Sequence, residues 1–153
     1  MEQKDYHKAL ATLHDYCVQY NQLVKVRKYC SDNGWKVIFR NRHEDAVDVE
    51  AKTISINSCN TPETQLYRLL HEIGHILVSQ EKDYYERFPK NYDSEKNLKL
   101  LRNRIKVLSE EVNAWDEAYQ FTKQHNIKIN IRNFDNCRAK CLKTFVKWIM
   151  NYE

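Results

Sequence analysis

The sequence predicts an α+β fold in which several long helices pack against one small β-sheet. Only two glycines and two prolines occur in 153 residues, which favours long helices over a turn-rich β fold. Residues 35–57 differ, because short apolar runs there alternate with polar residues as in β-strands. The chain length suits one domain with its own hydrophobic core. We therefore expect a single domain over residues 1–153, with N-terminal helices in 1–34, a central core in 35–122 and a C-terminal helix in 133–152.

Composition and charge narrow the class of protein further. The formal net charge of +4 is spread along the chain and forms no basic stripe with interleaved aromatic residues, so a nucleic-acid partner is not indicated. No positively charged apolar leader and no bilayer-length apolar run occur, so we expect no membrane contact. Five cysteines, an odd number without a C-x-x-C pair, are typical of reduced thiols. These features predict a cytoplasmic protein without disulfides.

The N-terminal segment shows helical periodicity. Apolar residues recur at spacings of three and four over residues 5–20, which predicts an amphipathic helix; they are Tyr6, Leu10, Leu13, Tyr16, Cys17 and Tyr20. A second, short helix is expected over 23–30, ending in a turn at Gly34. His7 and His14 have no acidic motif nearby, so we interpret both as surface histidines.

Three short strands follow. Trp35–Arg40 is a continuous strand-like run, while Ala46–Glu50 and Lys52–Asn57 alternate between apolar and polar residues. Polar turns separate the runs, so we predict a small three-stranded antiparallel sheet. His43 lies in one of these turns and is expected to be a solvated loop residue.

The next helix has strong start signals. Thr61 suits the N-cap, Pro62 the first helical position, and Glu63 the first turn, where the helix dipole favours an acid. The helix is expected to run to about Ser79. Gly74 costs about 1 kcal/mol relative to alanine inside a helix, so we expect another element to approach the backbone there.

This helix carries the sequence H-E-I-G-H at residues 71–75. Residues four apart share one helix face, so His71 and His75 can both offer an imidazole nitrogen to a single zinc ion. Glu72 lies one position round, where it can act as general base for a water at the metal. The alternative is a pair of hydrogen-bonded core histidines with a chance glutamate. The surrounding apolar residues favour the metal, because two buried imidazoles need a partner.

A polar, aromatic connection over residues 81–93 leads to the second long helix, expected from Ser94 to about Lys123. The tyrosines of this connection, Tyr84, Tyr85 and Tyr92, are interpreted as loop packing. The predicted buried face of the helix consists of Leu98, Leu101, Ile105, Leu108, Val112, Trp115 and Tyr119.

The same helix is expected to supply a third metal ligand, because catalytic zinc usually has three protein ligands and one open position. Glu111 falls within the buried stripe, three residues after Leu108 and four before Trp115. Glu110 aligns instead with polar residues and is expected on a solvated face. A carboxylate among apolar residues needs a charged partner, which favours Glu111 as the ligand. The alternative is a solvent-reaching acid at the edge of the stripe.

The C-terminal segment, residues 133–152, is predicted to be another amphipathic helix. Cys137 and Cys141 have an i, i+4 spacing that a metal could use. No second Cys or His pair lies nearby, so we interpret them as small core residues.

These motifs together resemble the ImmA/IrrE-type metallopeptidase domain. The resemblance covers about residues 35–122 and depends on an I-x-I strand at 54–56, the H-E-I-G-H helix and the sequence E-V-N-A-W at 111–115. It implies a small zincin fold with zinc on His71, His75 and Glu111, a gluzincin-like ligand set, and Glu72 as base. Members of this type are cytosolic, regulated proteases that cleave transcriptional repressors. The chain departs from the pattern at Asp116, where a small residue is usual. We also expect no fused helix-turn-helix domain.

The sequence thus predicts a zinc-dependent endopeptidase that hydrolyses a peptide bond of a cytosolic protein, with a transcriptional repressor as one substrate class. An extended substrate is expected to pair with the strand around Ile54 to Ile56. Two alternatives remain open. One is a zinc-binding regulatory or interaction module without proteolytic activity, although an intact Glu72 speaks against it. The other is a SprT-like protease acting on DNA-bound proteins. A zinc ribbon or a strongly basic segment would favour that alternative, and neither is visible in the sequence.

Overall fold

The structure is a computed structural model that describes residues 3–152. It is mostly helical with one small sheet, which confirms the α+β class. The elements in chain order are α1 Gln3–Asp32, β1 Lys36–Arg40, β2 Ala46–Asp48, β3 Thr53–Asn57, α2 Pro62–Ser79, α3 Tyr84–Arg87, α4 Glu95–Leu98, α5 Leu101–Gln124 and α6 Ile131–Met150. The main hydrophobic cluster draws side chains from α1, β3, α2, α5 and α6.

The N-terminal region is one continuous helix, so the prediction of two helices was wrong. No glycine or proline lies between Tyr20 and Leu23, so no helix-breaking residue ends the helix there. The C-terminal part of α1 is anchored, because Leu23, Val26 and Cys30 are buried. The helix is followed by Gly34 at φ 78°, the predicted turn position.

The sheet is mixed, which corrects the predicted antiparallel arrangement. Its order is β1-β3-β2; β1 pairs with β3 in parallel, and β2 pairs with β3 in antiparallel register. Alternation along a strand shows that a strand exists but not which neighbour it pairs with. The most apolar strand, β3, takes the middle position, where Ile54, Ser55 and Ile56 are all buried.

Helix α2 begins as the sequence predicts. The Thr61 side chain accepts a hydrogen bond from the Thr64 backbone N–H at 3.3 Å, and Pro62 is the first helical residue. The helix packs against α1, α5, α6, β2 and β3. Ten of its residues are buried, including His71 and Glu72. Those two polar side chains are therefore held within an otherwise apolar surface.

The second long helix begins later than predicted. Ser94 precedes only the short helix α4, and α5 starts at Leu101 after a break in the helical path. At this break the Asn103 amide donates to the Asn97 carbonyl at 2.8 Å. Such side-chain bonds satisfy carbonyls that a continuous helix would have bonded internally.

The buried face predicted for the start of this helix was wrong as well. Leu101 and Ile105 are 53% and 52% exposed, because the first turns of α5 extend past the main core. Farther along, Ala114, Trp115, Ala118 and Phe121 are fully or almost fully buried. The part of α5 that packs on α2 therefore begins near Glu111.

The remaining chain agrees with expectation. Helix α6 begins two residues earlier than predicted, with the Asn130 side chain accepting from the Asn133 N–H at 3.1 Å. The five cysteines are unpaired in the structure, and Cys30 is buried. Across residues 3–152, no helix has both the length and the apolar character that a bilayer crossing requires.

Helices α2 and α5 approach each other most closely at Gly74. A Cβ built on this glycine would lie 1.9 Å from the Ala114 carbonyl oxygen and 2.7 Å from the Ala114 carbonyl carbon. Both atoms belong to the backbone, so no side-chain rotation can relieve the overlap. The prediction that Gly74 admits another element is confirmed.

We expect Gly74→Ala to destabilise the protein by about 1–3 kcal/mol or more, because an added methyl group must push α5 away. A glycine-to-alanine change in an ordinary helix interior has the opposite sign, stabilising by about 1 kcal/mol. Urea unfolding followed by circular dichroism measures the difference. Ser109→Ala on the exposed side of α5 is the control and should change little. A more stable Gly74→Ala protein would contradict the close packing.

Candidate metal centre

The two histidines of α2 face one another in space. Their positions four residues apart bring both rings to the same side of the helix, with ring centroids 4.6 Å apart. The Nε2 atoms of His71 and His75 lie 3.2 Å from each other. His71 is buried and the His75 side chain is 18% exposed, so both nitrogens point into a partly closed site.

Helix α5 brings a carboxylate to the same point. Glu111 Oε2 lies 3.0 Å from His71 Nε2, and Glu111 Oε1 lies 3.4 Å from His75 Nε2. The Glu111 side chain is 14% exposed. The structure therefore brings together the three residues that the sequence selected as ligands. Among residues 3–152, they also form the one His/Cys/Asp/Glu group of three or more with donor atoms close enough to hold a metal ion.

The spacing of these donors fits a tetrahedral metal ion. Bonds of 2.0–2.1 Å to nitrogen and oxygen place neighbouring ligands of a tetrahedron about 3.3 Å apart. The observed separations are 3.2 Å between the two nitrogens and 3.0 Å and 3.4 Å to the carboxylate. A direct contact between two imidazole nitrogens can hold only one shared proton. The three side chains are therefore spaced so that they could hold one tetrahedral metal ion.

The charges in the site are coupled. Burial lowers the pKa of His71, and it would raise the pKa of Glu111 if that group stood alone. Hydrogen bonds from His71 and His75 outweigh that effect and hold the pKa of Glu111 at about 2. Burial opposes protonation of His75, but the bond to Glu111 raises its pKa overall. Glu111 is therefore an anion at neutral pH, the form in which a carboxylate binds a metal.

Trp115 orients the first histidine. Its indole stacks on the His71 ring with centroids 4.4 Å apart and an angle of 18° between the planes. Trp115 is fully buried and lies one helical turn after Glu111 on the same face of α5. One helix thus supplies both the carboxylate and the aromatic ring that fixes an imidazole plane. This contact gives a physical reason for the aromatic residue of the E-V-N-A-W sequence.

Glu72 lies beside the donor set without joining it. Glu72 as a whole residue is only 6% exposed, yet it lines the same cleft as His71 and His75. Burial raises the pKa of Glu72 from 4.5 to about 7, although the nearby His75 acts in the opposite direction. A carboxyl group that titrates near neutrality can both accept and return a proton under physiological conditions.

The donors lie in an open cleft with a volume of about 1170 Å³. One wall comes from β2 and the loop before it, including His43, which is exposed as predicted. The Arg68 Nε lies 2.8 Å from the Asp45 carboxylate at this wall, and Asp45 also accepts from the Asn57 N–H at 2.7 Å. This ion pair ties the loop before β2 to helix α2.

Glu110 lies at the opposite wall, which corrects its predicted place on a solvated face. Tyr84 donates its hydroxyl proton to Glu110 at 2.8 Å, and Tyr92 donates to the other carboxylate oxygen. The connection after α2 folds back on α5, so the face that carries Glu110 and the buried Asn103 is covered. Tyr92 also packs with Phe88 and Val78, as loop packing predicts. Residue spacing could not reveal a bond across this connection.

Cys141 and Arg68 are cleft residues that the sequence did not identify. The Arg68 guanidinium approaches the Cys141 sulfur at 2.6 Å, and both line the cleft. A hydrogen bond from Cys141 lowers the pKa of Cys137 to about 7, with help from Arg68 and against the effect of burial. Both cysteines pack against the main core, as predicted. Arg68 lies 73 positions before Cys141, so no local pattern could link them.

Part of the chain matches a known domain family. Residues 24–99 match the family model Peptidase_M78, described as the IrrE N-terminal-like domain. Over these residues the chain is similar to an IrrE N-terminal-like domain. The resemblance to the ImmA/IrrE type is thereby confirmed, and the family implies a metallopeptidase-like function. No curated protein and no solved structure shows significant similarity to the chain.

The match includes the peptidase motif but not the third donor. His71, Glu72 and His75 lie within residues 24–99, whereas Glu111 and Trp115 lie beyond them. Their placement beside the histidines is therefore an observation of this structure that is independent of the family match.

The metal-free protein should become less stable as pH rises through 7. The folded-state pKa of Glu72, about 7, exceeds the unfolded value of 4.5, so folding favours the protonated form and that contribution is lost as pH rises. Glu72→Gln keeps the shape and has no charge to bury. Its stability advantage over wild type should grow by roughly 2–3 kcal/mol between about pH 5 and pH 8. Urea unfolding with a chelator measures this difference, and an advantage that does not change with pH would contradict it.

Proposed function

We propose that this protein is a zinc-dependent endopeptidase that cleaves a cytoplasmic protein substrate. The main support for this proposal is that the donor atoms of His71, His75 and Glu111 are separated by the distances expected around a tetrahedral metal ion, with Glu72 beside them. The family supports a peptidase, and the open cleft offers room for an extended peptide next to these donors. The substrate class that we propose, a transcriptional repressor, comes from the resemblance to the ImmA/IrrE type.

The chain would hold the zinc ion through two neutral imidazoles and one carboxylate. When bound, zinc supplies Lewis-acid chemistry that lowers the pKa of water and polarises a carbonyl group. His71 is held in orientation by Trp115, and Glu111 is presented already ionised. Three protein donors would leave a bound zinc ion one open coordination position, as a catalytic site requires.

Glu72 is the proposed general base and acid. Its carboxylate accepts a proton from the attacking water and returns it to the amine that leaves when the peptide bond breaks. Burial raises the pKa of the Glu72 carboxyl group, which makes Glu72 a stronger proton acceptor than a solvated glutamate. The same buried carboxylate opposes the alternative of a purely structural zinc module. Such a module would bear the cost of burying a charge without any use for it.

The strand predicted to pair with substrate has no free edge. Strand β3 is paired on both sides, so Ile54 to Ile56 cannot pair with an additional strand, and the expectation that they do so was wrong. Within the described chain, β2 pairs only with β3, and Val47 lines the cleft. We therefore assign the pairing role to the outer edge of β2, where backbone groups can bond an extended peptide.

One zinc ion per chain should co-purify with the protein. His71→Ala, His75→Ala and Glu111→Ala should each lower the zinc content, because each removes one of three donors. Glu110→Ala is the matched control, since it removes the neighbouring carboxylate of α5, and it should retain zinc. Elemental analysis by mass spectrometry gives the stoichiometry. Zinc loss in Glu110→Ala together with full occupancy in Glu111→Ala would reverse the ligand assignment.

Glu72→Gln should separate catalysis from binding. It keeps a side chain of equal size, so the fold and zinc should survive while activity falls about 10²- to 10⁴-fold. Wild type and variant are added to the native cytosol, and mass spectrometry identifies peptides that only the wild type produces. Glu117→Gln, on α5 outside the cleft, is the control and should cleave as wild type does. If both forms capture the same partner and neither cleaves it, the binding module is the better description.

A further inference from the structure

The N-terminal half of α1 contributes no side chain to the main hydrophobic cluster. Every residue from 5 to 17 is exposed, whereas burial begins near Leu23. A helical segment with little tertiary packing is only marginally stable in water. This segment nevertheless carries large apolar side chains, so its surface needs a separate explanation.

These apolar side chains form a regular seam. They occur at alternating spacings of four and three residues, which is the a/d pattern of a coiled coil; the seam residues are Tyr6, Leu10, Leu13, Cys17, Tyr20 and Val24. Five of them are 44–59% exposed, and Cys17 is exposed too. The next position of the pattern is Arg27, whose guanidinium lies over the Phe39 ring at 4.9 Å. The seam therefore ends where the helix meets the sheet.

The pattern specifies the shape of the partner. Apolar residues at a and d positions pack as knobs into the holes of another helix, so the seam fits an α-helix and not a strand or a flat surface. The seam is flanked by His7, His14 and Asn21 on one side and by Ala9 and Tyr16 on the other. The flanking positions contain no Asp, Glu, Lys or Arg, so two identical seams would not place like charges of these residues against each other.

The exposed area is sufficient for pairing between two copies. Because the seam residues are each about half exposed, the seam leaves roughly 500–600 Å² of mostly apolar surface per chain. Two copies together supply about 1,000–1,200 Å², which reaches the lower limit of a specific protein interface. Interfacial membrane helices instead carry several basic residues, whereas residues 5–17 contain one lysine and two aspartates.

We infer that the protein forms a homodimer in which the exposed seams of two α1 helices pair as a short coiled coil. The interface lies on α1 and is separate from the cleft that holds His71, Glu72 and Glu111. It therefore does not depend on the proposed peptidase activity. An interface at this lower size limit should give a dimer that dissociates on dilution.

Sedimentation velocity of the full chain, from about 1 to 200 µM, tests the pairing. Wild type should shift from monomer to dimer with concentration, and Leu13→Asp should remain monomeric because it places two buried charges in the seam. Leu13 is 59% exposed in the monomer, so the melting temperature at low concentration should not change. Ile105→Asp alters an equally exposed apolar residue outside the seam and should still dimerise.

Three results would overturn the inference. Wild type could remain monomeric over the whole range, or Leu13→Asp could dimerise as wild type does. The chain could also bind vesicles of phosphatidylserine and phosphatidylcholine through α1 while remaining monomeric. Tyr20→Asp provides a second seam variant and should match Leu13→Asp.

Discussion

The close contact between α2 and α5 at Gly74 and Ala114 is the constraint on which the candidate site depends. Gly74 directly precedes His75, and Ala114 follows Glu111 by three residues, so the point of closest approach lies within one turn of the donors. If the helices were separated by one more methyl group, the carboxylate would no longer lie 3.0 Å from His71. Gly74 is unfavourable for an isolated helix, but the close packing of α2 against α5 requires it.

The same packing sets the electrostatics of the cleft. Helix α5 covers α2 with Trp115 and other apolar groups, and burial opposes a charge on His71 and Glu72. Glu111 is the exception, because hydrogen bonds from both histidines keep it ionised. Glu111 and Glu72 are thus buried in the same region, but the pKa of Glu111 is lowered and the pKa of Glu72 is raised. Their pKa values differ because Glu111 accepts hydrogen bonds from both histidines, whereas burial dominates at Glu72.

Local signals were enough to predict much of the fold. The cap at Thr61, the apolar face of α2 and the glycine at 74 each act within a few residues, and the structure agrees with all three. The position of Glu111 within the stripe also predicted its approach to the histidines. That inference worked because Trp115, one turn later, is fully buried.

Features that depend on distant residues could not be predicted in this way. Strand order depends on pairing between residues far apart in the chain: β3 pairs with both β1 and β2, and it also packs against α2. The partner of Glu110 comes from a connection whose path has no periodic signal. The spacing of apolar residues in α1 predicted an amphipathic helix but not that its seam is exposed, because a heptad pattern does not show whether its partner is the same chain.

Zinc-edge anomalous diffraction from a crystal of the native protein would locate the metal ion. We expect one strong peak, bonded to Nε2 of His71 and of His75 and to the Glu111 carboxylate at about 2.0–2.2 Å. Glu72 should lie beside this peak without binding it. A peak held by Cys137 and Cys141, or no peak between α2 and α5 in zinc-replete protein, would show that His71, His75 and Glu111 do not form the metal site.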